Sequence, residues 1–471
     1  MLKNDYWKLS AYESAKLIKD GSILAEDLVS SCIERVNQTN NKINAIVDDL
    51  SASALEKAHE LDKLTKKGKF KGPLHGVPIT IKENIDQKGY ATPNGLEALK
   101  DLIAPGNAPV VDNLEQDGAI VIGRTNTPEF SMRGTTDNVI HGRTYNPWND
   151  WASPGGSSGG ASAAVMSGMG SLAHGNDIAG SLRIPSTATG ACTVKPGLGR
   201  VPAFNPSQTQ ERGLVAQLMS VQGIIAREIK DVRLGMQSLI NYDPRDPWMV
   251  EMPFESKSVT SPIKIGYTKE TLGEVMHAAV DKALENAIEA LKDAGYILEE
   301  IVLPEFQDAT NYSARTLFGE LKALHEKDYK KLGSENFNLV ADNYFQIISP
   351  FEGEDLLLGM AKRSYFFREW NLFFRNYPLV LTPFLLYPTY EWDRDIQELE
   401  GTKEVLAGMF YAHTMNYMGI PAGVVSANYN DGLPVGVQII SSRFCEDLIL
   451  KACEEIEKRV GIMAEKLFER G

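Results

Sequence analysis

Two serines sit in glycine-rich backbone 24 residues apart: Ser157 in Gly155-Gly-Ser-Ser-Gly-Gly160, and Ser181 in Asn176-Asp-Ile-Ala-Gly-Ser-Leu-Arg-Ile-Pro-Ser186. Far upstream, Lys82 ends the apolar, β-branched run Gly76-Val-Pro-Ile-Thr-Ile-Lys82. A serine hydroxyl is a weak nucleophile at neutral pH and must lose its proton as it attacks a carbonyl. A second hydroxyl both donates and accepts, so it can pass that proton on. Glycine lets backbone N–H groups come close to an oxygen that becomes negative. A lysine accepts a proton only when neutral, which requires its pKa to fall by roughly 3 units or more from about 10.4, and burial does this. Taken singly, Lys82 would snorkel from a strand end and the glycine-serine loops would be ordinary turns. Together they point to a hydrolase. Glu83 falls on the opposite face of a strand and need not hold the lysine charged.

These groups need elements to carry them. Val77–Ile81 reads as a buried strand that delivers Lys82, and Ala161–Gly168 as a helix of small residues between the serines. Before them, Ser10 and Glu13 have capping-box spacing, with Gly21 as a stop; Leu24–Val36 and Ala54–Leu64 are helical in pattern. Asn107–Gln116 predicts a helix with Pro109 in its first turn, followed after Gly118 by the strand Ala119–Ile122. Further on, helices are expected at Val232–Ile240, Val280–Leu291, Met409–Met418 and Glu446–Arg459, and strands at Ile263–Tyr267, Tyr296–Val302, Leu379–Leu381 and Val435–Ile440. Such alternation predicts an α/β fold with a largely covered sheet. Between Asn311 and Tyr390 the texture turns to aromatic-rich helices, whose Phe366, Phe367, Trp370, Phe373 and Phe374 are read as packing in a cap over the core.

The chain resembles the amidase signature family. The resemblance is carried by the Lys82 strand, Arg124-Thr-Asn-Thr-Pro-Glu-Phe-Ser-Met132, Arg143–Asn149, the double-serine segment, Val194-Lys-Pro-Gly197 and Gly432-Leu-Pro-Val-Gly-Val-Gln438, all in order. It implies a large mixed β-sheet flanked by helices, within one domain over 1–471 whose catalytic core covers about 65–260 and 379–460 and whose helical cap covers about 305–378. It implies a Ser/cis-Ser/Lys triad of Ser181 as nucleophile, Ser157 after a cis peptide bond as relay, and Lys82 as base. The N–H groups of Ile178, Ala179, Gly180 and Ser181 match the oxyanion hole, and Ser131 and Met132 match substrate contacts. The implied activity is hydrolysis of a small carboxamide to a carboxylate plus ammonia or an amine, with no metal or organic cofactor and with a homodimer as the expected assembly. The alternative is a glutaminase-type A subunit that works only inside an amidotransferase complex; a non-catalytic amide-binding relative is disfavoured by the intact triad. The chain departs from the pattern at Ala179, where glycine is commoner, at Ala191-Cys-Thr193, and at Arg133, which is expected to pair with Asp137, or else to narrow the site or offer charge to an acidic substrate. Asp177 and Arg183 are read as a structural pair, and Ser158, Ser162 and Ser186 as hydrogen-bonding the loops.

A rival reading takes Gly156-Ser-Ser158-Gly-Gly160 as a nucleophile elbow, with Ser158 attacking and His413 as its base. His174 is expected to be a packed, hydrogen-bonded neighbour. The 471 residues, 43% hydrophobic and 23% charged, are ordinary for a globular enzyme. A net charge of −14 argues against a nucleic-acid partner. The lysines 63, 66, 67, 69 and 71 read as a solvated loop. No apolar run is long enough for a membrane span, and the first residues lack a signal-peptide core, so a cytoplasmic location is expected. Cys32, Cys192, Cys445 and Cys453 lack metal or disulfide spacing.

Overall fold

The computed structural model describes residues 3–256 and 262–470; Met1 and Leu2, where the signal-peptide reading begins, lie outside them. Its centre is one mixed sheet of eleven strands: β1 (Ile46–Asp49), β2 (Pro78–Lys82), β3 (Ile120–Thr125), β4 (Leu172–Asp177), β5 (Cys192–Lys195), β6 (Val221–Ala226), β7 (Lys264–Tyr267), β8 (Ile297–Glu300), β9 (Leu379–Pro383), β10 (Ala422–Asn430) and β11 (Leu433–Ser441). The spatial order is β1-β3-β2-β4-β6-β5-β10-β11-β9-β7-β8. β2 runs parallel to both β3 and β4, while β4 pairs antiparallel with β6. Lys82 therefore leaves the sheet beside the end of β4, from which the Ser181 loop departs.

Helices cover the sheet, as the alternation predicts. Ser10 caps the helix Ala11–Lys19, with both hydrogen bonds of the capping box formed, and Pro109 opens the helix Pro109–Gln116. The strand at Lys82 is buried at all five positions, which is why its sequence shows an unbroken apolar run and not alternation. Its isoleucines, Ile79 and Ile81, join Val77, Leu114, Val194 and Ile439 in the largest apolar core.

The sheet is broader than the sequence reading. β1, β4, β5, β6 and β10 were not expected, because small and polar residues such as Ala173, Gly175, Gly423 and Ser426 interrupt the β-branched pattern in several of them. One local signal was available. Asp431 and Gly432 both adopt positive φ between β10 and β11, and Asp-Gly is the residue pair that a two-residue hairpin turn favours. The segment after β8 folds into three helices, Phe306–Leu332, Glu335–Ile348 and Gly353–Phe373. Phe366, Trp370 and Phe374 pack in a second apolar core with Phe410, Tyr411 and Met415, as packing residues should.

Candidate active site

Three elements bring the chemistry together. β2 ends in Lys82, whose side chain is fully buried. The Gly156–Ser157 peptide bond is cis, and Lys82 Nζ lies 2.7 Å from Ser157 Oγ. The same nitrogen lies 3.0 Å from Ser158 Oγ and 2.8 Å from Asn176 Oδ1. Burial lowers the Lys82 pKa from an ordinary 10.5 to about 7, against the opposing pull of Asp177 and then Glu83. At neutral pH a large share of this lysine is thus an uncharged amine. Glu83 is engaged elsewhere, accepting the Gly95 N–H at 2.9 Å and lying 3.0 Å from His141.

Ser181 sits in the turn that leaves β4, and it is partly exposed where its neighbours Gly180 and Leu182 are buried. The Ser158 N–H donates to the Ser181 carbonyl at 3.2 Å, which ties the two serine loops together. Gly180 holds φ +117, and a Cβ there would meet Ile184 and Ala412 at 2.6 and 2.8 Å. Only glycine fits. Ala179 has no positive φ, so its methyl is tolerated where glycine is commoner in the pattern. Among the described residues no acceptor is found for the N–H groups of Ile178, Ala179 and Ser181. The Gly180 N–H differs: it donates to Asp177 Oδ1 at 2.7 Å. Of the four amides expected to face an oxyanion, this one is turned onto the carboxylate.

Asp177 and Arg183 form the structural pair anticipated for them, with the guanidinium Nε donating to Asp177 Oδ2 at 3.1 Å. Burial opposes the Asp177 charge, but Arg183, joined by Lys195 and the Gly180 N–H, holds the carboxyl below its usual range. Arg183 also donates to Gln438 Oε1 on β11 and to Asn416 Oδ1 and the Ala412 carbonyl on the helix Phe410–Met418. That contact gives the C-terminal Gly432–Gln438 motif its role in the site. The Arg124–Met132 motif acts similarly. Arg124 donates to the carbonyls of Glu83 and Ile85, and Thr127 Oγ1 donates to the Ser157 carbonyl at 3.0 Å.

Arg133 reaches Asp137 as expected, but its main partner is another carboxylate. Its fork donates to Asp395 at 2.9 and 2.8 Å, whereas Asp137 stays 3.9 Å away. The partner lies 262 residues on, so no local spacing could reveal it. Both groups are buried, and removing Arg133 leaves the Asp395 carboxylate without its cation. Arg133→Ala should therefore cost about 3–5 kcal/mol in urea unfolding, a loss that Arg133→Ala with Asp395→Ala largely restores.

Ser158 does more than brace a loop, since it touches Lys82; but the elbow reading finds no histidine for it. His413 Nδ1 pairs with Ser313 Oγ, and burial brings its pKa down to about 4. His174 bonds Gln222 at 3.1 Å and is pushed by burial to about 3, a packed neutral neighbour. All four cysteines are free. Among the described residues no three metal-ligating side chains converge, and no helix is long and apolar enough to cross a membrane.

A cavity of about 690 Å³ opens onto Ser157, Ser181, Ile178 and Ala179. Met132 and Phe130 line it, with Phe318 and Tyr329 from the helix Phe306–Leu332, Tyr344 from the next helix, and Met409. Ser131 lines it too, accepting from Asn84 Nδ2 and bonded to Thr127 and Asn94. Sequence reasoning missed Asn84, Asn94 and Asn176, because an asparagine beside a motif carries no periodicity to mark it. It also missed the wall formed by Leu198, Val201, Phe204 and Trp248.

The sequence profile of the amidase family matches residues 27–450. The chain is 42% identical over 99% of its length, and 89% of the other, to the indoleacetamide hydrolase of Bradyrhizobium diazoefficiens. It is 33% identical to the acylamidase of Rhodococcus erythropolis, over 97% of this chain and 96% of that one. Among solved structures it resembles a bacterial aryl acylamidase of the amidase signature enzymes, with a TM-score of 0.81, 25% identity and 98% coverage of each chain.

Proposed function

Since the chain belongs to the amidase signature family and is an amide hydrolase, we propose that it hydrolyses a primary arylacetamide, of the indoleacetamide class, through an acyl-enzyme on Ser181. The observation that carries the mechanism is the buried Lys82 amine 2.7 Å from the Oγ of Ser157, which lines one cavity with Ser181. The neutral amine takes the Ser157 proton as Ser157 takes that of Ser181, and the Ser181 oxygen bonds to the amide carbon. The carbonyl oxygen becomes an oxyanion facing the N–H groups of Ile178, Ala179 and Ser181, each such donor contributing about 100- to 1000-fold in rate. The Lys82 ammonium returns its proton through Ser157 to the amide nitrogen, the C–N bond breaks, and ammonia leaves. Water then adds to the acyl carbon by the same relay, and the carboxylic acid departs.

The substrate class follows from the aromatic and aliphatic lining of the cavity, from its volume of about 690 Å³, and from likeness to an indoleacetamide hydrolase. Burying an aryl ring contributes about 1.5–3 kcal/mol. The purified chain alone, given acetamide, phenylacetamide and indole-3-acetamide, should release ammonia with kcat/KM about 10- to 100-fold higher for the aryl amides. Equal rates across the series would defeat the substrate assignment. Turnover that appears only with added partner subunits would favour a glutaminase subunit of an amidotransferase.

A further inference from the structure

We propose that Asn176, assisted by Ser158, is a positioning residue that aims the lone pair of the Lys82 amine at Ser157. The inference rests on the reading of Lys82 as the base and deepens it.

A neutral amine has two N–H bonds and one lone pair, yet three oxygens surround Lys82 Nζ, at 2.7 Å (Ser157), 2.8 Å (Asn176) and 3.0 Å (Ser158). Which oxygen meets the lone pair decides whether Ser157 gives or receives a proton. Two of the three are already committed. The Ser158 hydroxyl donates to the main-chain carbonyl of Asn176 at 3.3 Å, so toward the lysine its oxygen accepts. Asn176 Nδ2 donates to Asn84 Oδ1 at 2.9 Å, which leaves Asn176 Oδ1 facing the amine. Asn84 is fixed in turn, its Nδ2 donating to Ser131 Oγ at 2.9 Å, while Ser131 donates to Asn94 Oδ1 at 2.6 Å. An amide oxygen carries no hydrogen. Both amine hydrogens therefore point at Asn176 and Ser158, and the lone pair remains for the Ser157 hydroxyl. That hydroxyl is then a donor toward Lys82 and free to accept from Ser181, the polarity that a relay requires.

Asparagine also accepts without adding charge. The charged groups acting on the amine are Asp177 on β4 and Glu83 just after β2, both favouring its protonated form. His174 on β4 is neutral, and the helix Gly159–Met166, whose sequence is GGASAAVM, brings no ionisable residue to β2. On β3 the cation, Arg124, is engaged with Asp48 and the Glu83 carbonyl. A hydroxyl in place of Asn176 Oδ1 could itself take the lone pair; a carboxylate would hold the lysine charged.

The test uses the full-length enzyme with phenylacetamide, reading kcat and KM from pH 5 to 10 for Asn176→Asp, Asn176→Ala, Ser158→Ala and Lys82→Ala. Asn176→Asp should move the acid limb of kcat/KM up by about 1–3 pH units. Asn176→Ala should lower kcat on the order of 100-fold with KM nearly unchanged, and Ser158→Ala about 10-fold. An unmoved acid limb in Asn176→Asp, or losses confined to KM, would overturn the proposal. Where Asn176→Asp does not fold, Ser158→Ala decides: kcat equal to wild type overturns the proposal and a kcat-only loss sustains it. Wild-type turnover by Lys82→Ala would instead remove the base assignment itself.

Discussion

Ser181→Ala should lower kcat on the order of a million-fold, the scale seen when a covalent nucleophile is removed from a site whose members act as a unit. The fold should not notice. Ser181 is partly exposed, and its described hydrogen bond is through the backbone carbonyl, which alanine keeps. A substitution of this kind stays within about 0.5 kcal/mol of wild type. The measurement pairs ammonia release with thermal unfolding, and adds labelling by an activated fluorophosphonate. Wild type should carry the label on Ser181, and Ser181→Ala should carry none. Labelling of Ser158 in its place would revive the elbow reading.

Lys82→Ala is the second large effect, with kcat/KM falling about 10⁴-fold, the upper range for loss of a general base. Its signature is the pH profile. In wild type the folded lysine has its pKa lowered to about 7. Below that value the amine is protonated and cannot accept, so kcat/KM should rise tenfold per pH unit from pH 5 and level off above about 7. The rise belongs to one proton leaving one amine. Lys82→Ala has no such group, and its residual rate should be flat over the same window. A retained inflection near pH 7 in Lys82→Ala would assign the limb to another residue.

Much of this site was legible because its parts are chemically conspicuous. Lys82 at the end of an apolar run, and the serines flanked by glycine, break the patterns around them; the strand that ends in Lys82 and the small-residue helix after Ser157 were readable beside them, whereas β4 ahead of Ser181 was not. What stayed hidden was held by long-range contact. Arg133 meets Asp395 across 262 residues, and its closer neighbour Asp137 was the natural guess. Gly180 looked like a fourth oxyanion donor until its N–H was found on Asp177. β10 escaped notice because Gly423, Ser426 and Ala427 lie buried between paired strands, where small residues pack without alternation. The asparagines around Lys82 act through the direction of single hydrogen bonds, and residue order alone does not encode such directions.

The clamp on Arg183 has a bearing on when the enzyme first becomes competent. Its guanidinium reaches Asn416 and Gln438, 233 and 255 residues downstream, so the turn bearing Ser181 is braced from the far end of the polypeptide. A growing chain on the ribosome exposes Ser181 long before those two side chains exist. On the proposed mechanism hydrolysis awaits both side chains, since a chain stopped before residue 416 carries Lys82, Ser157 and Ser181 but neither Asn416 nor Gln438 to hold Arg183.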